Sequence, residues 1–175
     1  MEISIEPLMA ASEHLWEKAS ERLLAPLAHE NIQPRLRMTL LMAKCNETGA
    51  LLLNTSNKSE LATGYATFYG DSAGALSILG DLTKNQVYLL AQHLNQSRIV
   101  IPQRVLDRAP TAELRENQRD EDTLPPYPEL DAMVKGEIEE QSGSAELETS
   151  HQKHRDRFLE LYRRSEYKRR QFPPI

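Results

Sequence analysis

The chain has 175 residues, 39% hydrophobic and 27% charged, with 21 Lys and Arg against 26 Asp and Glu for a formal net charge of -5. That balance suits one soluble globular domain and argues against a general affinity for nucleic acid or acidic membrane surfaces. Cys45 is the only cysteine, which excludes an internal disulfide or a cysteine-based zinc cluster and fits a reducing, cytoplasmic setting. No apolar run reaches bilayer length, and the acidic start MEISIEP lacks an apolar signal core, so neither membrane insertion nor secretion is expected.

In chain order, Ile3 to Ile5 reads as a short strand ending at Pro7. Met9 to Leu24 follows as an amphipathic helix, with Leu15, Ala19 and Leu23 at helical spacing. A second helix is predicted from about Glu30 to Asn46, with Asn31 near its start, Pro34 in the first turn and Gly49 just past its end. Its apolar face would be Leu36, Leu40 and Ala43. Ala50 to Leu53 is a continuous apolar run too short for a helix, as expected of a central parallel strand covered on both faces. A short helix through Leu61 and Ala62, closed by Gly64, comes next. Leu76 to Leu79 is a second inner strand, and a helix runs from Lys84 to about Leu94 behind Thr83. The alternation is βαβα. Ile99 to Ile101 and Val105-Leu106 suggest an extended piece and a helical turn. The stretch 110–128, rich in Asp, Glu and Arg, without apolar period and with prolines near its end, reads as a mobile loop. A helical portion from about 127 to 170 follows, with helices over Tyr127 to Val134 and His151 to Ser165 joined by a Ser/Gly/Glu-rich stretch.

In an open parallel sheet, ligands collect beyond the carboxyl ends of the strands, where helix amino termini offer N–H groups and a positive dipole end. Thr55 and Glu60 stand beyond one strand. Lys84 stands beyond the next, at a helix amino terminus where a cation is unfavourable unless an anion lies beside it. Together they supply a hydroxyl, a carboxylate for Mg²⁺ and an ammonium for phosphate. The same residues also read as a turn threonine, a solvated glutamate and a surface lysine. Asn31 and Arg35, four apart, share a helix face that could hold a ribose and an anion, or could be solvated. His151 and His154, with Glu148 nearby, mimic a metal site but lie among Lys153, Arg155 and Arg157, which reads as a solvated face.

Several strings occur in a set order: Glu30-Asn31-Ile32-Gln33-Pro34-Arg35-Leu36-Arg37, Asn54-Thr55-Ser56-Asn57-Lys58-Ser59-Glu60-Leu61-Ala62, Tyr69-Gly70-Asp71, Pro110-Thr111-Ala112-Glu113-Leu114-Arg115, Asp120-Glu121-Asp122-Thr123-Leu124-Pro125-Pro126-Tyr127 and Ser165-Glu166-Tyr167-Lys168-Arg169-Arg170. From about residue 3 to residue 174 the chain thus resembles the synthetase domain of NAD synthetases. The resemblance implies an α/β, Rossmann-like adenine nucleotide alpha-hydrolase fold, amino-terminally incomplete, over residues 1–175. It also implies a reaction: the carboxylate of nicotinic acid adenine dinucleotide (deamido-NAD) attacks the α-phosphate of ATP, and ammonia then displaces AMP to give NAD. Thr55, Lys84 and Thr111 match ATP-contacting positions, and Glu60 matches the Mg²⁺ carboxylate. Asn31, Arg35, Tyr65, Ala66, Thr67, Phe68 and Lys168 match positions that hold the dinucleotide.

Ammonia-dependent members usually carry Lys where Phe68 stands, an acidic residue near Ala75 and a different triplet at Asn57-Lys58-Ser59. The chain therefore resembles the glutamine-dependent branch, in which an amino-terminal nitrilase-like glutaminase domain with a Cys-Lys-Glu triad makes the ammonia. That domain does not occur in the sequence, nor does the Ser-Gly-Gly-x-Asp-Ser loop that cradles the pyrophosphate. The resemblance thus implies a chain inactive by itself, whose complete enzyme is a homo-oligomer. The alternatives are a non-catalytic dinucleotide-binding remnant, or one half of a split enzyme whose glutaminase domain or amino-terminal half is in another chain.

Overall fold

Proline opens the first two helices rather than stopping them. In the computed structural model, which describes residues 2–140 and 152–175, Ile3 to Ile5 forms no strand, and helix α1 runs over Glu6–Ser20 with Pro7 in its first turn. A first-turn proline loses no hydrogen bond, because the N–H it lacks would have had no intrahelical partner. For the same reason α2, Pro26–Thr48, begins at Pro26, earlier than predicted, so Pro34 sits in its interior. Gly49 ends it in the left-handed conformation, as expected. The predicted apolar face of α2 is not buried: Leu36 and Leu40 are half-buried, Ala43 is exposed and Cys45 is half-buried.

The continuous apolar run yields only a short strand, β1, Leu53–Asn54, followed by α3, Lys58–Thr63, and β2, Leu76–Ser77. The two strands pair in parallel, with Leu53 opposite Leu76 and Asn54 opposite Ser77. Helix α4 spans Lys84–Leu94, α5 Gln103–Asp107, and a 3₁₀ turn Asp120–Asp122 lies within the 110–128 stretch. Then come α6, Tyr127–Met133, continued by a π-helical turn Val134–Glu139, and α7, Gln152–Arg164, and α8, Glu166–Arg169. His151, Glu148 and most of the Ser/Gly/Glu-rich stretch lie outside the described residues.

The core lies among α3, α6 and α7, where Ala62, Leu124, Tyr127, Leu130, Met133, Val134 and Phe158 form one buried cluster. Below the sheet the packing is polar. Buried Asn54 donates from Nδ2 to the carbonyls of Asp71 (2.8 Å) and Ala73 (3.2 Å), and Ser77 N–H donates to the Pro174 carbonyl at 2.8 Å. The other face carries Leu51, Leu53, Leu76 and Ile78, which are between 41% and 79% exposed. The expectation of a strand covered on both faces thus fails among the described residues: period-two alternation puts these apolar side chains together on an open face. A flat apolar patch beside unpaired strand edges favours association. The chain is expected to self-associate at micromolar concentration, and the pair Leu53→Lys with Leu76→Glu to return it toward monomer, read by sedimentation velocity. A soluble wild-type monomer with a sharp cooperative melt would count against this.

Candidate functional site

Lys84 is the first residue of α4, and the anion its position calls for is supplied by the chain itself. Its Nζ donates to Glu60 Oε1 at 3.0 Å, with both side chains less than a fifth exposed. Glu60 sits in the first turn of α3, where its Oε2 accepts the Asn57 N–H at 3.1 Å while Asn57 Oδ1 accepts the Glu60 N–H at 3.0 Å, a reciprocal capping box. Thr83 and Gln86 form the same device at α4.

The amino terminus of α4 is closed by two residues that sequence reasoning did not select. Lys84 N–H donates to Ser59 Oγ (3.0 Å), Ser59 Oγ–H donates to Asp131 Oδ1 (2.5 Å), and Asn85 N–H donates to Asp131 Oδ2 (2.8 Å). Ser59 and Asp131 are both buried. The expectation of free helix-terminal N–H groups beyond the second strand is thereby corrected: this buried relay consumes them. Thr83 ahead of α4 was legible in the sequence; Asp131 lies on α6, far along the chain.

A second locus is an open cavity of about 630 Å³ lined by Asn31, Arg35, Tyr65, Ala66, Thr67, Phe68 and Lys168, all seven positions matched to the dinucleotide, together with Asp71 and Tyr167. Three elements far apart in sequence meet here. From α2, Asn31 Oδ1 accepts the Thr67 hydroxyl at 2.9 Å and Arg35 Nε donates to the Phe68 carbonyl at 3.0 Å. From α8, Lys168 Nζ donates to the carbonyls of Gly64 (2.8 Å) and Ala66 (2.7 Å). Burial pushes the Lys168 ammonium below the ordinary lysine range, while the Asp71 carboxylate pulls it back. The 64–71 turn itself is pinned by Asp71, whose Oδ1 accepts the Thr67 N–H at 2.5 Å. Gly70 passes so close to α2 that a Cβ there would lie 3.0 Å from Pro34 Cβ.

The two remaining matched residues stand apart. Thr55 is exposed at the end of β1. Thr111 Oγ1 accepts the Glu113 N–H at 3.1 Å and lines a separate hollow of about 620 Å³ with Arg108 and Arg119. A polar chain still ties its segment to the Glu60–Lys84 pair. Asp120 N–H donates to the Pro110 carbonyl (3.1 Å), Tyr127 O–H donates to Asp120 Oδ2 (2.7 Å), and Lys84 Nζ lies 5.2 Å from the centre of the Tyr127 ring. Burial, reinforced by Asp120, holds the Tyr127 phenol far above its usual range, so it stays a donor.

A parallel strand pair whose strands are each followed by a helix, with polar side chains gathered beyond the strand ends, defines an α/β domain of the kind in which ligands collect at that edge. A family model described as NAD synthase matches residues 1–172, and the chain belongs to that family. It is 40% identical over 174 residues to a glutamine-dependent NAD(+) synthetase of Synechocystis sp., covering 98% of this chain and 31% of that protein. It is 44% identical over 151 residues to the glutamine-dependent NAD(+) synthetase of Acinetobacter baylyi, covering 84% of this chain and 28% of that protein. The chain thus spans about a third or less of the length of these curated relatives. Among solved structures, the NMN synthetase of Francisella tularensis superposes with a TM-score of 0.78 at 30% identity over 95% of this chain and 62% of that one. The glutamine-dependent NAD+ synthetase of Acinetobacter baumannii, in complex with adenosine diphosphate, gives 0.57 at 34% identity over 95% of this chain and 30% of that one. Among the described residues no helix is long and apolar enough to cross a membrane.

Proposed function

We propose that the chain carries the dinucleotide-recognition part, and one side of the ATP site, of an enzyme that amidates deamido-NAD to NAD through an adenylated intermediate. The fold of that enzyme would be the Rossmann-like adenine nucleotide alpha-hydrolase type, of which this chain is the portion after the phosphate loop. The supporting observation is the convergence of Asn31, Arg35, Tyr65 to Phe68 and Lys168, from three separated segments, on one cavity. In this reading Arg35 and Lys168 offset the charge of the dinucleotide, and Asn31 and Thr67 orient its hydroxyl groups. Lys84 takes a phosphate oxygen of ATP, with Thr55 and Thr111 on the same substrate.

Mg²⁺ fits only as a shared ion. Both Glu60 oxygens already accept bonds from the chain, and among the described residues no group of three His, Cys, Asp or Glu could enclose a metal. One carboxylate beside nucleotide phosphates is nevertheless a usual Mg²⁺ donor set. When bound there, the ion would offset phosphate charge and ease departure of pyrophosphate. Glu60→Ala is expected to abolish Mg²⁺-dependent nucleotide binding, and Glu60→Gln to do so while keeping the acceptor for the Asn57 N–H. Unchanged ATP affinity in calorimetry with and without Mg²⁺ would sink the assignment.

A second reading, recognition of the dinucleotide without turnover by this chain alone, is favoured by the sealed amino terminus of α4. Its N–H groups go to Ser59 and Asp131 rather than standing open for phosphate. In the complete enzyme the loop that cradles pyrophosphate would then come from elsewhere in the protein or from another chain, as would the glutaminase domain. Calorimetry with deamido-NAD, with ATP, and with both separates the two readings. Binding of ATP as well as the dinucleotide supports the first; dinucleotide binding with no ATP binding and no adenylate supports the second; no dinucleotide binding refutes both.

A further inference from the structure

We propose that Gln33 is a positioning residue of the dinucleotide cavity: its side-chain amide holds the segment that carries Thr111 against α2 and so sets one wall of the site. This rests on the dinucleotide reading above. Gln33 Nε2 donates to the Leu114 carbonyl at 2.9 Å, across 81 residues of chain. Gln33 does not line the cavity itself, whereas Ala112, Leu114, Arg115 and Gln118 line it together with Asn31 and Arg35. Glu30, three residues earlier and so on the same face of α2, adds an ion pair to Arg115 Nε at 3.4 Å. That pair is open to solvent, with the Arg115 side chain 51% exposed, and contributes little. The bond from Gln33 is therefore the main tie.

The segment needs an outside tie. Its backbone turns through the left-handed region at Glu113 and again at Asn117, both at φ 54°, a conformation that costs a residue with a Cβ and lasts only where the surroundings hold it. Leu114 follows the first of these two residues and presents its carbonyl to Gln33. Apart from the two contacts with α2, the hydrogen bonds and ion pairs of 111–119 among the described residues stay within 108–122, as in Leu114 N–H to Gln118 Oε1 (2.9 Å) and Arg108 to Glu113 (2.6 Å). Such local bonds fix the shape of a turn but not where it sits. Asn31 and Arg35 leave α2 within two residues of Gln33, so a ligand seated on them meets the segment at a distance set by this one bond. Thr111, three residues before Leu114, is placed by the same bond.

The test is calorimetry with deamido-NAD and timed tryptic cleavage, on the full chain and on its Gln33→Met and Gln33→Glu variants, which keep the length of the side chain and lose the N–H donor. Both variants are expected to bind deamido-NAD about fivefold more weakly, the size of one neutral hydrogen bond. They are also expected to be cut after Arg115 and Arg119 faster by a similar factor, since cleavage follows the population of the opened segment. Melting temperatures should stay within about 2 °C of wild type, and sites outside 108–122 should be cut at the wild-type rate. Unchanged deamido-NAD affinity in both variants overturns the proposal and leaves the dinucleotide site standing. Wild-type cleavage after Arg115 overturns it too, because the segment is then held by other contacts. A general rise in cleavage with a fall in melting temperature makes the role of Gln33 one of stability alone and counts equally against it. Absence of any dinucleotide binding by the unaltered chain removes both this inference and the reading beneath it.

Discussion

Gly64→Ala is expected to lower stability and to destroy dinucleotide binding in the same step. Gly64 closes α3 at φ 64°, where a residue with a Cβ costs about 1–2 kcal/mol. An added Cβ would also lie 2.2 Å from Ser165 Cβ, far inside contact distance and against a buried residue at the cap of α8. Overpacking of that kind costs a further 1–3 kcal/mol, about 3 kcal/mol in all with the backbone penalty. For a chain of this length such a loss lowers the melting temperature by roughly 6–12 °C. Relief must come from movement of α8, which carries Lys168 away from the carbonyls of Gly64 and Ala66 and removes one wall of the cavity. Thermal unfolding followed by circular dichroism, with calorimetry against deamido-NAD, reads both effects. A variant with the wild-type melt and affinity would show that α8 is not locked to the end of α3.

The second large effect belongs to Asp131. Its oxygens accept Ser59 O–H and Asn85 N–H, and the carboxylate is buried. Asp131→Ala would leave a buried hydroxyl and a helix-terminal N–H without an acceptor, at about 1–3 kcal/mol for each, and the cost falls where α3, α4 and α6 meet. We expect a loss of about 3 kcal/mol, with Asp131→Asn milder because its amide oxygen can still accept one of the two bonds. Lys84 should also lose its fixed approach to Glu60, so ATP affinity should fall in Asp131→Ala beyond what unfolding explains. Chemical denaturation and calorimetry at a temperature where the variant is folded separate the two contributions. Wild-type stability of Asp131→Ala would mean that Ser59 and Asn85 find other acceptors.

What could be read in advance was local. Thr83 ahead of α4 and the stop at Gly64 lie within a few residues of the helices they bound, and α3 and α4 fall where the spacing puts them. Strand extent depends on neighbours distant in the chain, and the run from Ala50 to Leu53 held no sign that its outer leucines would stay exposed. Proline misled at both early helices: Pro7 reads as a strand end but opens α1, and Pro34 reads as a first-turn residue but lies inside α2. In the cavity, Asn31 and Arg35 were legible as one helix face. Their meeting with Thr67 and Phe68, and with Lys168 from a helix about a hundred residues further on, followed only from the family resemblance. Asp71, Asp131 and Tyr167 went unselected because their partners are non-local or, for Tyr167, because an exposed aromatic carries no periodic signal.

The distance between those partners bears on how the molecule is made. Ser77 of β2 gives its amide to Pro174, and α3 gives its terminal carbonyls to Ser165, Lys168 and Arg169. A chain emerging from the ribosome at about 5–20 residues per second exposes β2 and the end of α3 for several seconds before those partners arrive. Contacts of such long sequence separation form late. During synthesis the cavity is therefore among the last features to close, and its open leucine-bearing sheet is what a chaperone would meet first.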